Sequence, residues 1–202
     1  MMKIILFISL LSVFSTLSLL AQTETVESKL WNPIPRNYEV KQAIEVESLF
    51  PMFLFGGYHF AVGYRYEKFR VRLSVINGGT YNAETVGINN SSPNFKRFYN
   101  TSPGIFLGYN VWKNLDIYAY LESHTFGIQQ QTTGTTIDIR SIDTGLGVSY
   151  QFFFGRIFYI QPGVHLYLRA SKSAEFGDIT YNIPNADVSP VIRVGCRLWR
   201  KY

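Results

Sequence analysis

Cysteine is almost missing from these 202 residues: there is one, Cys196, which excludes an intramolecular disulfide framework and a cysteine-built zinc site. Charge is scarce too. Asp, Glu, Lys and Arg make up 16% of the chain, against roughly 25% in an average soluble protein. A disordered chain needs the opposite balance, high charge with few aromatics. Beyond residue 21 no apolar run approaches a membrane-spanning helix, and the longest covers residues 49–55. No stretch sustains a 3.6-residue period, so a helical bundle or coiled coil is excluded. The net charge of +5 is scattered, without the basic stripe that nucleic acid requires. Nothing resembles a phosphate-binding loop or a haem attachment motif, and no cofactor is implied. What the chain has in quantity is aromatic residues, 16% of the total.

The N-terminus is organised differently from the rest. Met1-Met2-Lys3 makes a short basic start, Ile4 to Ala21 is apolar apart from Ser and Thr, and Gln22-Thr23-Glu24 turns polar. This is the layout of a secretory signal peptide, residues 1–21, with cleavage after Ala21. No cysteine follows the apolar run, which excludes a lipoprotein anchor. Residues 22–40 then read as a periplasmic leader, and residues 41–202 as the folded region.

In that region the dominant period is two. Tyr58, Phe60, Val62, Tyr64 and Tyr66 alternate with His59, Ala61, Gly63 and Arg65; past Glu67 and Lys68, Phe69, Val71, Leu73 and Val75 alternate with Arg70, Arg72 and Ser74. The same pattern recurs around Ile44–Glu47, 105–111, 115–122, 142–152, 158–169 and 192–199. Eight strands are predicted. The first is expected to run past Pro51 to a tight turn at Gly56 and Gly57.

Each strand has one continuous aliphatic and aromatic face and one face of Gly, Ser, Arg and carboxylates. A membrane barrel places apolar side chains toward lipid and polar or small ones in the lumen, and strands of ~9–11 residues cross the hydrocarbon layer when tilted. Closure follows, because an open edge in lipid leaves backbone groups unsatisfied. Link lengths agree: short at Glu67 and Lys68, at Lys113 and Asn114, and at 153–156; long at 78–103, 127–137 and 171–186. Aromatics gather at the short-turn ends (Tyr64, Tyr66, Phe69, Trp112, Tyr150, Phe152 and Phe158), as an interfacial girdle does. The fold expected is an all-β, eight-stranded antiparallel up-and-down transmembrane barrel.

With these residues in view, the stretch 41–202 resembles the small eight-stranded bacterial outer-membrane barrels of the OmpA and OmpX type. The C-terminal strand carries the most specific likeness, ending on Tyr202 with Leu198, Cys196, Val194 and Ile192 at alternate positions. It looks like the signal read by the barrel-assembly machinery, and the Ala-Gln junction and Trp-Pro leader look like those of Bacteroidetes proteins. The resemblance implies residence in the outer membrane as a monomer, among its lipids and lipopolysaccharide.

Two groups of polar residues share the lumen parity. One is His59, His124 and His165 at similar heights, with Glu122 beside His124 and Asp143 near its level. The other sets Arg65, Arg70, Arg72, Arg193 and Arg197 against Glu45, Glu47 and Asp116, as ion pairs within a plugged lumen that also takes Phe106, Tyr118, Tyr120, Tyr167 and Trp199. Buried charges require such partners. No metal site is read from these residues. Cys196 is placed toward lipid by parity.

The function expected is that of a non-enzymatic barrel, structural or binding a partner through its outer loops, in which Lys96-Arg97-Phe98-Tyr99 and Asn89-Asn90-Ser91-Ser92 stand out. The alternatives are a lipid A-modifying enzyme, a deacylase or acyltransferase, and a carrier of small hydrophobic ligands. As the deacylase family is known, its barrels place His and Ser two apart on one strand face. Here Ala61, Phe126 and Tyr167 occupy those places. The catalytic candidates for an enzyme are therefore His124 and Glu122 with Ser123 or Thr125, and adjacent strand residues point to opposite faces.

Overall fold

The computed structural model describes residues 40–82, 94–170 and 172–202. The signal segment, nearly all of the leader and the Asn-Ser run at 89–92 lie outside the described residues. The elements are β1 (Gln42–Leu49), α1 (Phe50–Leu54), β2 (Tyr58–Tyr66), β3 (Phe69–Asn82), β4 (Phe95–Trp112), β5 (Leu115–Gln130), β6 (Thr136–Tyr150), β7 (Phe152–Phe154), β8 (Phe158–Arg169), β9 (Lys172–Phe176), β10 (Ile179–Ile183) and β11 (Ala186–Lys201). Each barrel strand pairs antiparallel with its neighbours, and β11 pairs with both β8 and β1, closing the sheet. The segments β6 and β7 form one stave interrupted at Gln151 and paired along β8. Eight staves result.

The wall is inside-out. Outward residues Leu73, Leu107, Ile142 and Leu146 are each about 60% exposed, whereas Glu45, Glu47, Arg70, Asp116 and Asp143 inside are at most 4% exposed. A protein dissolved in water would have to solvate this continuous apolar wall, which far exceeds an ordinary surface patch. Lipid solvates it at no cost, and the charges then belong inside. The chain is an eight-stranded transmembrane barrel. Among the described residues no helix is long and apolar enough to cross a membrane, so crossing falls to the strands.

Three expectations about the strands are corrected. Residues 50–54 form α1, a one-turn helix with Pro51 in its first turn, where the missing N–H costs nothing; β1 stops at Leu49. The long links are largely strand. β3 continues to Asn82, β4 starts at Phe95, β5 and β6 meet through a turn at 131–135, and β9 and β10 form a hairpin between β8 and β11. Lys96 to Tyr99 lie on β4, with Arg97 only 1% exposed. The third correction is a bulge in β11. Ile44 pairs with Trp199 and Glu45 with Arg197, so Leu198 is the extra residue. Beyond it the faces exchange. Trp199 therefore points outward, 46% exposed, and Arg200 turns inward opposite the buried Ala43. Cys196 keeps the outward parity yet is buried, and Tyr150 and Phe158 are half-buried members of the girdle.

Above the membrane zone the wall extends into β4, β5 and β6, and the β9–β10 hairpin packs with it. Phe95, Phe126, Ile128, Ile139, Ala174, Phe176, Tyr181 and Ile183 form one buried apolar cluster.

Candidate functional site: the lumen

The lower lumen, toward the short turns, is organised by Arg70. Its guanidinium meets Glu47, Glu45 Oε2 at 2.5 Å and Asp116 Oδ2 at 3.7 Å, and it donates to Tyr159 Oη at 3.0 Å and Gln161 Oε1 at 3.2 Å. Arg65 donates to Asp116 Oδ2 at 2.9 Å and Gln151 Oε1 at 3.1 Å; Arg72 reaches Glu47 Oε2 at 2.8 Å; Arg197 Nε donates to Glu45 Oε1 at 2.9 Å. Tyr159 Oη in turn donates to Glu47 Oε1 at 2.7 Å. The fork of a guanidinium suits this work, because several parallel N–H groups can serve more than one carboxylate. Arg193 is held differently. Its nearest partners are His165 Nε2 at 2.6 Å and Tyr118 Oη at 3.4 Å, with its cation 5.4 Å from the Tyr118 ring centre.

Aromatic rings fill the middle of the lumen. Phe106, Tyr118 and Tyr120 are buried together with Tyr167 against them, and the His165 ring stacks on Tyr120 at 5.2 Å. Glycine makes the room. A Cβ on Gly147 would collide with the Tyr118 ring across the strand pair, and one on Gly145 would lie 2.5 Å from Tyr120 Oη. The small cavity lined by Arg70, Arg72, Phe106, Gly108, Asp116 and Tyr118 holds about 10 Å³, room for one water. A larger concavity of about 640 Å³, around Ala119 between Leu107 and Leu146, lies on the outer wall.

The upper lumen contains the His124 group. His124 Nδ1 donates to Asp143 Oδ2 at 2.8 Å, and Nε2 lies 3.6 Å from Glu122 Oε2. Arg169 Nε donates to the same Asp143 oxygen at 2.8 Å, and Ser141 Oγ donates to Oδ1 at 2.6 Å. Of the four residues weighed for catalysis, the structure brings together only His124 and Glu122. Ser123 is exposed on the outer wall, and Thr125 is half-buried with its backbone N–H donating to Ser102 Oγ at 3.1 Å. A serine hydroxyl that does share the lumen face beside His124 is that of Ser141, directly across from it on β6. It was legible as the residue two before Asp143 on one strand face, yet it serves the carboxylate rather than the imidazole. A nucleophile needs its base within hydrogen-bond reach; here Ser141 is oriented away from that role.

The three histidines have separate surroundings. His59 Nδ1 accepts from the Leu49 N–H at 3.0 Å; His165 Nδ1 donates to Tyr167 Oη at 2.9 Å; His124 meets carboxylates. Among the described residues no three His, Cys, Asp or Glu side chains are grouped so as to hold a metal ion.

No protein-family model matches the chain, and no curated protein matches it. Among solved structures, the chain is similar to Neisserial surface protein A (NspA), known from a crystal structure, at 15% identity and a TM-score of 0.40, covering 80% of this chain and 93% of that one.

Proposed function

We propose that this chain is a non-enzymatic integral protein of the bacterial outer membrane, exported by residues 1–21, with a filled lumen and its short turns in the periplasm. One observation carries the reading: the charged groups of the lumen are held mainly by one another, although single atoms such as Glu122 Oε2 and Gln151 Nε2 have no hydrogen-bond partner among the described residues. The arginines serve carboxylates, phenols and an imidazole, and His124 is held between Asp143 and Glu122 with both candidate hydroxyls elsewhere. Eight strands leave an interior that side chains can fill, and a 10 Å³ cavity suits neither ion flow nor a hydrophobic ligand. Contact with the surroundings then falls to the outer wall and to the structure above the membrane, where a partner or lipopolysaccharide would be met.

Lipid A from cells with and without the protein, compared by mass spectrometry, tests the enzymatic alternative. Identical spectra are expected; an acyl chain lost or gained in a His124-dependent way would overturn the reading. Planar-bilayer recordings test the filled lumen. Stable, large single-channel steps from the full chain would contradict it.

A further inference from the structure

The exposed charges of the barrel are divided unevenly between its ends. Lys41, Lys68, Lys113, Arg156 and Lys201 lie exposed at the short-turn rim, with the half-buried Arg200 on its inner side, against one exposed acidic side chain there, Glu67. The upper structure, among the described residues, balances Lys96, Arg140 and Lys172 with Asp138, Glu175 and Asp178. The rim is also knitted together. Lys41 N–H donates to Lys201 O at 2.8 Å, Glu67 N–H to Lys41 O at 2.7 Å, Asn110 N–H to Lys68 O at 2.7 Å and Gln151 N–H to Asn114 O at 3.0 Å. Arg200 reaches the Arg156 carbonyl at 3.3 Å. Turn-to-turn bonds thus hold the cations on a fixed ring rather than on separate loops.

Apart from Lys41, these cations stand one or two residues beyond the outward aromatics Tyr66, Phe69, Trp112, Phe154 and Trp199, which are 45–63% exposed. One of them rests on the girdle itself: Lys113 Nζ lies 4.6 Å from the Trp112 ring centre. Aromatic girdles sit at headgroup depth, so the positive charges are aimed at the phosphate layer. We infer that the short-turn rim is a binding collar for anionic phospholipid, selecting phosphate headgroups without a compensating amine charge in the adjoining leaflet. The inference rests on the membrane reading above and adds the lipid class to it. A cation beside an anionic surface is worth roughly a fivefold preference, falling off within a Debye length.

The test uses the full chain folded into vesicles of phosphatidylcholine and phosphatidylglycerol in equal parts. The protein is released into neutral detergent, and its retained lipids are counted by native mass spectrometry. Phosphatidylglycerol is expected in excess by about fivefold or more, with the excess shrinking in high salt. The variant carrying Lys41→Gln, Lys68→Gln, Lys113→Gln and Lys201→Gln should lose the preference while keeping the heat-modifiable gel mobility of a folded barrel; Glu67→Gln should raise it. Equal retention of the two lipids by the unaltered chain would overturn the inference and leave the rim to an acidic soluble partner. So would a preference unchanged in the glutamine variant. Failure to enter vesicles of either lipid is a different result, because it overturns the membrane reading itself.

Discussion

The same strands solve opposite burial problems at two heights. In the lower two-thirds of β5, Leu115, Ile117, Ala119 and Leu121 face out while Asp116, Tyr118, Tyr120 and Glu122 face in; four residues later, Phe126 and Ile128 are the inward, fully buried side chains. The pleat has not shifted. The hydrophobic side of it has changed over, from odd to even positions. β6 does the same, with Asp143 and Ser141 inward below and Ile139 inward above. The difference teaches that the surroundings, rather than the strand, decide which face is apolar. Lipid outside sends charge inward; water outside sends hydrocarbon inward and lets the β9–β10 hairpin find an apolar seat.

The largest effect is expected from breaking the lower zone. Arg70→Ala would leave Glu45 and Glu47 with buried charge to disperse, and the loss should be about 3–5 kcal/mol, measured as a fall in the urea midpoint of the barrel in lipid vesicles. An Arg70→Met barrel as stable as the unaltered one would show that the network is not held by its charges. In the upper zone, Tyr181→Ala empties a fully buried ring position and should loosen the hairpin by about 3 kcal/mol. Limited proteolysis near Gly177 should speed up while the gel mobility of the folded barrel stays unchanged; loss of the whole barrel would mean that the two zones fold as one. The smallest and sharpest contrast compares one substitution at two heights on the outer face of β6. Leu146→Lys places a cation against hydrocarbon and should cost about 2 kcal/mol or more, whereas Thr136→Lys, exposed at the upper end, should stay within about 0.5 kcal/mol. Equal costs at the two positions would dissolve the distinction between lipid-facing and water-facing wall.

The changeover also explains what was and was not legible. Period-two runs identify all eight staves wherever lipid lies outside, since there one face is reliably apolar. The upper halves of β4, β5 and β6 look like long loops because their apolar residues sit on the other parity, and the Gly-rich and polar stretches interrupt the count. The bulge at Leu198 has no signature in a run of Cys-Arg-Leu-Trp-Arg; it appears only when β1 is laid beside β11. It accounts for the apolar alternation failing at Arg200, which lies on the inner side after all.

Alternation, turn residues and link lengths are properties of a chain segment, because a strand's side chains point to successive faces whatever stands next to it. They determined by themselves that this protein is an all-β barrel with apolar outer and charged inner faces. Which charges meet is a property of register and barrel closure. That Arg70 of β3 serves Glu45 and Glu47 of β1, and that Arg193 of β11 finds Tyr118 of β5 rather than a carboxylate, were decided only when non-neighbouring strands were brought across the lumen; that Ser141 stands beside the His124–Asp143 pair was decided by the register of β5 against β6. The physical reason is reach: partners from different staves are chosen by height and tilt around a closed ring, and neither quantity is written in the residues of one strand.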